Sequence, residues 1–137
     1  VPDSSLTDLD PDFLPIAELI MSEANATISP SKTRIIITWR SPQDQQAAKA
    51  NGASKAGPGQ SPHNNCMPDG APAARAFDFA VFDEDGAYVQ DGRDSRYASI
   101  GLIAVKHGQI WGGNWTPETD GCMPDFDHIE MYNWRFE

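Results

Sequence analysis

Bases, cysteines and long apolar runs are all scarce in this chain, and each scarcity narrows what it can do. Ten Lys and Arg stand against 20 Asp and Glu among 137 residues, a formal net charge of −10. Nucleic-acid binding depends on cations that neutralise phosphates, so this balance argues against a nucleic-acid partner. Nor does it give any general attraction to an anionic wall or membrane surface; affinity for such a polymer has to come from a local groove. Two cysteines do not make a disulfide framework and do not fix the compartment. No stretch approaches the ~20 apolar residues of a membrane span. The opening VPDSSLTDLDPD is acidic and lacks the basic and apolar regions of a secretory signal, although a leader removed earlier would leave the same sequence. Histidine is rare too, with His63, His107 and His128 the full set.

A chain of 137 residues is long enough for one domain with its own core, and 39% hydrophobic with 22% charged residues is ordinary for a soluble protein. Val1 to Asp10 reads as a flexible acidic lead-in, with a single domain over 11–137. Asp10 and Pro11 form a good N-cap and first helical position, and Phe13, Ile16, Ala17, Ile20 and Met21 recur at helical spacing, so a helix is predicted over 11–25. Thr33 to Trp39 is dense in β-branched residues and reads as a central strand. A short helix follows from Pro42 and stops at Gly52; the Gly/Pro/Ser/Asn-rich stretch 52–70 is a long loop, a length that usually marks function or disorder. AFDFAVF, 76–82, is a strand, followed by a DEDG turn and a hairpin partner over 87–90. A helix is expected over 93–107 and a last strand over 128–134, with the polar segment TPETDG as a loop. The string CMPD occurs twice, at 66–69 and 122–125.

The chemistry concentrates in two places. His63 sits in the loop SPHNN and Asp78 follows on the strand AFDFAVF; His128 lies in MPDFDHIEM with Asp125 three residues before it. Two histidines, a carboxylate and a spare carboxylate are the inventory of a catalytic zinc site, in which three ligands leave a position for water and the extra acid takes its proton. Strand alternation puts Asp78 on one face with Ala80 and Phe82, opposite Phe77, Phe79 and Val81. An unpaired charge there costs several kcal/mol. A metal relieves that cost; so does an arginine such as Arg40 or Arg75, and nothing in residue type alone makes the two histidines converge. His107 ends a helix beside Gly108 and reads as a helix C-terminal residue favoured by the dipole. Arg40 directly follows a strand, a good place for a fixed cation facing a carbonyl or for a plain ion pair. The Trp111 to Trp115 segment is core and loop packing, or a groove wall.

TWRSPQDQ, GPGQSPHN, AFDFAVF, SIG, WGGNW and DFDHIEM, in this order over roughly 33–132, resemble the D-alanyl-D-alanine carboxypeptidase-like zinc peptidases. Single-domain phage L-alanyl-D-glutamate endopeptidases are the nearest group among them. The resemblance implies that His63, Asp78 and His128 ligate Zn2+, that Asp125 is the general base, and that Arg40 steadies the substrate or the oxyanion. It implies no catalytic part for Glu130. The fold it implies is α+β, a small antiparallel sheet flanked by helices with zinc at one end of the sheet. The implied activity is hydrolysis of a peptide bond in the peptidoglycan stem peptide, by a monomer acting in the periplasm or on the wall, as in phage lysis. With no signal visible, synthesis in a host cytoplasm and release fits that role. A D,D-carboxypeptidase or dipeptidase using the same site, and a non-enzymatic zinc-stabilised phage structural or wall-binding domain, are the alternatives. His63 and Asp78 are further apart in sequence than is usual for the family, and the extra residues around NCMPDGAP are expected at the mouth of the site. If both histidines bind one zinc, Cys66 and Cys122 approach each other and a disulfide between them becomes plausible, against free thiols or a cysteine ligand.

Overall fold

The structure, a computed structural model, describes residues 4–57 and 59–134. It is an α+β fold built on a four-stranded antiparallel sheet of order β1-β2-β4-β3. The strands are β1 (Lys32–Ile37), β2 (Ala76–Phe82), β3 (Ile110–Trp111) and β4 (His128–Glu130), and the helices are α1 (Leu14–Ile28), α2 (Pro42–Ala50), α3 (Ser95–Lys106) and the single turn α4 (Pro117–Asp120). α1 runs over Leu14–Ile28 rather than 11–25, and its N-cap is Phe13, with no side-chain cap, rather than Asp10. Asp10 instead holds the turn before it, taking the Asp12 amide on its carboxylate at 2.8 Å and the Leu14 amide on its carbonyl at 3.0 Å. Ala17, Ile20, Ala24 and Ile28 then fall on one face and are buried, the spacing of an amphipathic helix. Of the expected lead-in, residues 1–3 lie outside the described ones. Leu6–Asp8 forms a 3-10 turn, and Leu9 is buried and bridges to Ala74.

β2 is the spine. Phe77, Phe79 and Val81 point to one side and join Ala17, Ile20, Ala24, Tyr97, Ile100, Ala104 and Ile129 in the core, so α1 and α3 cover that face. Each large apolar side chain buried there is worth about 1.5–3 kcal/mol. Tyr97 locks the following turn to the strand, its hydroxyl donating to the Val89 carbonyl at 2.7 Å and accepting from the Val81 amide at 3.2 Å. The other face of β2 carries Asp78, as alternation requires.

Several sequence expectations need correction. β1 lies at the edge of the sheet, not its centre, because β-branched density marks a strand without saying how many neighbours it has. The hairpin partner after DEDG reduces to an isolated bridge between Phe82 and Tyr88. The last strand stops at Glu130. Ile110–Trp111 forms the second edge strand, and TPETDG holds the one-turn helix α4, capped by Thr116 and ended by Gly121 at φ 72°.

Candidate metal centre and groove

β2 and β4 place the site. Asp78 and His128 are cross-strand partners, and Ala76 opposes Glu130 two pairs along, so the side chains of His128 and Glu130 share the face that Asp78 occupies. His63 arrives from the long loop on a 3-10 turn, Pro62–Asn64, fixed by a reciprocal cap between Ser61 and Asn64. Ligating atoms of His63, Asp78 and His128 all lie within 4.8 Å of one another, and all three residues are buried. Such a group can hold a metal ion. The resemblance's triad therefore converges in space, and His107 does not join it: its Nε2 is 3.0 Å from Glu23 at the far end of α3.

The hydrogen bonds around the triad settle which nitrogens face inward. His63 Nδ1 is 2.7 Å from the Thr38 carbonyl, which can only accept, so Nδ1 carries the proton and Nε2 presents a lone pair. Nε2 is 3.4 Å from Asp78 Oδ1. His128 donates from Nε2 to Glu130 Oε1 at 2.9 Å, and its Nδ1 stands 3.0 Å from the same Asp78 oxygen. Glu130 is itself held by Trp134, whose Nε1 donates to Oε2 at 2.7 Å. A carboxylate or carbonyl behind each imidazole is the outer-shell pattern that orients metal-binding histidines. Three acceptors converging this closely need a positive centre among them, either a proton on His128 Nδ1 or a divalent cation. Without a metal, the electrostatics favour the proton. Burial opposes charging His128, but its bonds to Asp78 and Glu130 outweigh that and push its pKa up to about 10. Burial alone would raise Asp78, and the charge and hydrogen bonds of the two imidazoles instead hold it below the usual carboxylate range. The donor set of two imidazole nitrogens and one carboxylate suits zinc.

The triad floors a groove of about 810 Å³. One wall is the loop 52–56, the other the segment 119–125, and Lys55 joins them by donating to the Gly121 carbonyl at 3.3 Å. Asp125 lines the groove and is exposed, its amide bonded to the Gly112 carbonyl at 2.9 Å. Trp115 stands beside His128 with ring centroids 5.2 Å apart, whereas Trp111 is core, so the two tryptophans divide the roles the sequence left open. Arg40 lines the groove, buried, with Nη2 4.0 Å from Asp78 Oδ2 and Nε without a partner. Arg75, the other candidate partner for Asp78, is bound instead to Asp10 at 2.9 Å.

Two expectations about the extra residues fail. Nothing between Asn64 and Phe77 lines the groove. After Asn64 the chain turns away: Cys66 bridges to Pro72, Met67 and Ala71 pair, and Ala73 and Ala74 bond to Asn65 and Asp8. Cys122 stays at the groove, and both cysteines are free thiols. The disulfide assumed that a loop near His63 must cross the site; this one leaves it within three residues.

Three groups escaped the sequence reading. Glu130 orients His128, a role signalled by the H-x-E spacing, which puts both side chains on one strand face. The Thr38 carbonyl orients His63 and is a backbone group with no side-chain signature. Asp127 is half-buried; burial, the charge of Asp78 and its bond to Asp125 push it up to about 8.

These features define an α+β fold with a His/Asp/His group on the face of an antiparallel sheet opposite the one that α1 and α3 cover. The structure is similar to that of the L-Ala D-Glu endopeptidase ChiX of Serratia marcescens, with a TM-score of 0.64 and 20% identity over 92% of this chain and 82% of that one. At this identity the likeness is one of fold. No family model matches the chain, and no curated protein matches it in sequence.

Proposed function

We propose that the protein is a zinc-dependent peptidoglycan hydrolase that cleaves a peptide bond of the stem peptide, the bond between L-Ala and D-Glu, in phage lysis or a related degradation of the wall. The observation that carries this reading is the convergence of His63 Nε2, Asp78 and His128 Nδ1 at the floor of an open groove, each imidazole backed by its own acceptor. The shared fold with an L-Ala D-Glu endopeptidase supports the choice of bond.

His63, Asp78 and His128 would hold the metal. Zinc bound there supplies Lewis acidity and makes water a usable nucleophile near neutral pH. Asp125 lines the groove three residues from His128 and takes the proton of the attacking water, then returns it to the leaving amine. Arg40, held at the edge of the triad, carries the charge that develops on the carbonyl oxygen. Glu130 and Thr38 keep the two imidazoles in the tautomers that leave Nδ1 and Nε2 facing inward. Trp115 walls the groove beside His128. The chain acts alone on the wall or in the periplasm.

Digestion of purified peptidoglycan, with and without a chelator and with products read by mass spectrometry, tests the reading. Expected are fragments with a new N-terminal D-Glu, lost on chelation and restored by zinc. Release of free D-Ala would assign a D,D-carboxypeptidase instead, and intact wall would overturn hydrolysis.

A further inference from the structure

The Gln45 side chain, on the inner face of α2, is fully buried at 0% exposure in a chain whose other glutamines are surface residues or nearly so. Burying an amide is costly unless all its hydrogen-bonding capacity is met. Here it is. Oε1 accepts from Arg40 Nη1 at 3.0 Å and from Asn64 Nδ2 at 3.3 Å, while Nε2 donates to Ser54 Oγ at 3.0 Å and to the Ala56 carbonyl at 2.7 Å. Four partners fix the amide in one orientation, since a flip would set Nε2 against two donors and Oε1 against a carbonyl.

The partners belong to the site from three sides. Ser54 and Ala56 are part of the groove wall that carries Lys55. Asn64 follows His63 and also donates to the Arg40 carbonyl at 2.9 Å, and the Arg40 amide donates to the His63 carbonyl at 2.9 Å. The hydrogen bond to Gln45 is the one that the Arg40 guanidinium makes among the described residues; its Nη2 approaches Asp78 only at ion-pair distance, 4.0 Å, and its Nε has no partner. A guanidinium tied at one nitrogen and buried around the rest is aimed by that tie.

We propose that Gln45 is a positioning residue: it aims Arg40 at the reacting carbonyl and ties that aim to the wall at 54–56. The proposal rests on the role given to Arg40 above. It predicts an effect on turnover that passes through Arg40 and vanishes when Arg40 is gone, which a glutamine serving only the fold does not show. A misplacement of about 1 Å in such a group costs up to ~10²-fold.

The test is a double-mutant cycle on the zinc-loaded full chain with a stem-peptide fragment of peptidoglycan as substrate. Gln45→Met, of similar length and without the amide, is expected to lower kcat about 10- to 100-fold with KM nearly unchanged. Arg40→Ala lowers it about 10²–10³-fold, and the double variant is no slower than Arg40→Ala within about twofold. Losses that multiply in the double variant would overturn the proposal. Should Gln45→Met not fold, Gln45→Asn takes its place: it keeps a polar amide but is one methylene too short to hold Arg40 Nη1 and the Ala56 carbonyl together, with the same non-additive loss expected. Nitrogen-detected NMR of the Arg40 guanidinium gives a readout independent of turnover. Slowly exchanging Nη1 protons in the unaltered protein that become averaged in the variant support the positioning, and unchanged signals refute it. An unaltered protein that cuts no wall at all refutes the hydrolase reading, while this NMR comparison still decides whether Gln45 aims Arg40.

Discussion

Gly112 lies where the loop bearing Asp125 crosses the chain, and replacing it by alanine tests how tightly the proposed base must be held. A Cβ at this position would stand 2.5 Å from the Asp125 carbonyl oxygen, 3.1 Å from the Asp125 Cβ and 3.2 Å from the His128 Cβ. The backbone of Gly112 is not left-handed, so alanine adds bulk without conformational strain. To reach the ~3.3 Å at which a C–H···O contact settles, Asp125 and Gly112 must separate by about 0.8 Å. The hydrogen bond from the Asp125 amide to the Gly112 carbonyl, 2.9 Å, lengthens with that movement. Overpacking of this kind costs about 1–3 kcal/mol of stability. A shift of nearly 1 Å in a proton-transferring group lowers kcat by roughly 10- to 100-fold. The proposed metal ligands move less, since the His128 Cβ contact needs only a few tenths of an ångström. Measured together by denaturation, zinc titration and turnover of wall fragments, Gly112→Ala is expected to lose some stability, keep its zinc affinity within about threefold and lose most of its rate. Full activity in the folded variant would show that the position of Asp125 does not matter and would refute its role as base.

Asp125→Asn is expected to keep fold and zinc while losing about 10²–10⁴ in rate, measured on the same fragments; a near-normal rate would move the role elsewhere. Glu130→Gln weakens the hold on the His128 tautomer and should raise the zinc dissociation constant about 10- to 100-fold in a competitive titration. His107→Ala, whose imidazole faces Glu23, should leave zinc occupancy unchanged by metal analysis. Asp94 caps α3 by accepting from the Arg96 amide at 3.0 Å, and its bonds to the Arg96 side chain and amide depress its pKa to about 2. A depressed carboxylate stabilises above its unfolded pKa and loses that contribution as pH falls through the folded value. Asp94→Ala should therefore cost about 1 kcal/mol at neutral pH, and the gap to the unaltered protein should shrink between about pH 4 and 2 in acid denaturation.

Much of the site was legible because its residues break local rules. Asp78 stands out in AFDFAVF since a carboxylate among buried aromatics calls for a counter-charge, and strand alternation gave its face. The convergence of His63 and His128 was not legible from spacing, since 65 residues separate them; it came from the motif resemblance and holds in the structure. The place of β1 at the sheet edge was hidden because Thr33–Ile37 would read the same at the centre. The path of residues 64–73 was hidden as well: it depends on backbone bonds to Asp8 and Asn65 that no side chain announces. Gln45 sits among Gln43 and Gln46 in PQDQQAAKA, and nothing in that string says which glutamine is buried.

The most direct measurement is a crystal structure of the protein with zinc, using anomalous scattering at the zinc edge. The account predicts one strong anomalous peak per chain, bonded to His63 Nε2, an Asp78 carboxylate oxygen and His128 Nδ1, at the ~2.0–2.2 Å of zinc–nitrogen and zinc–oxygen bonds. Absence of a peak there at saturating zinc, or a peak at another group of residues, would contradict it.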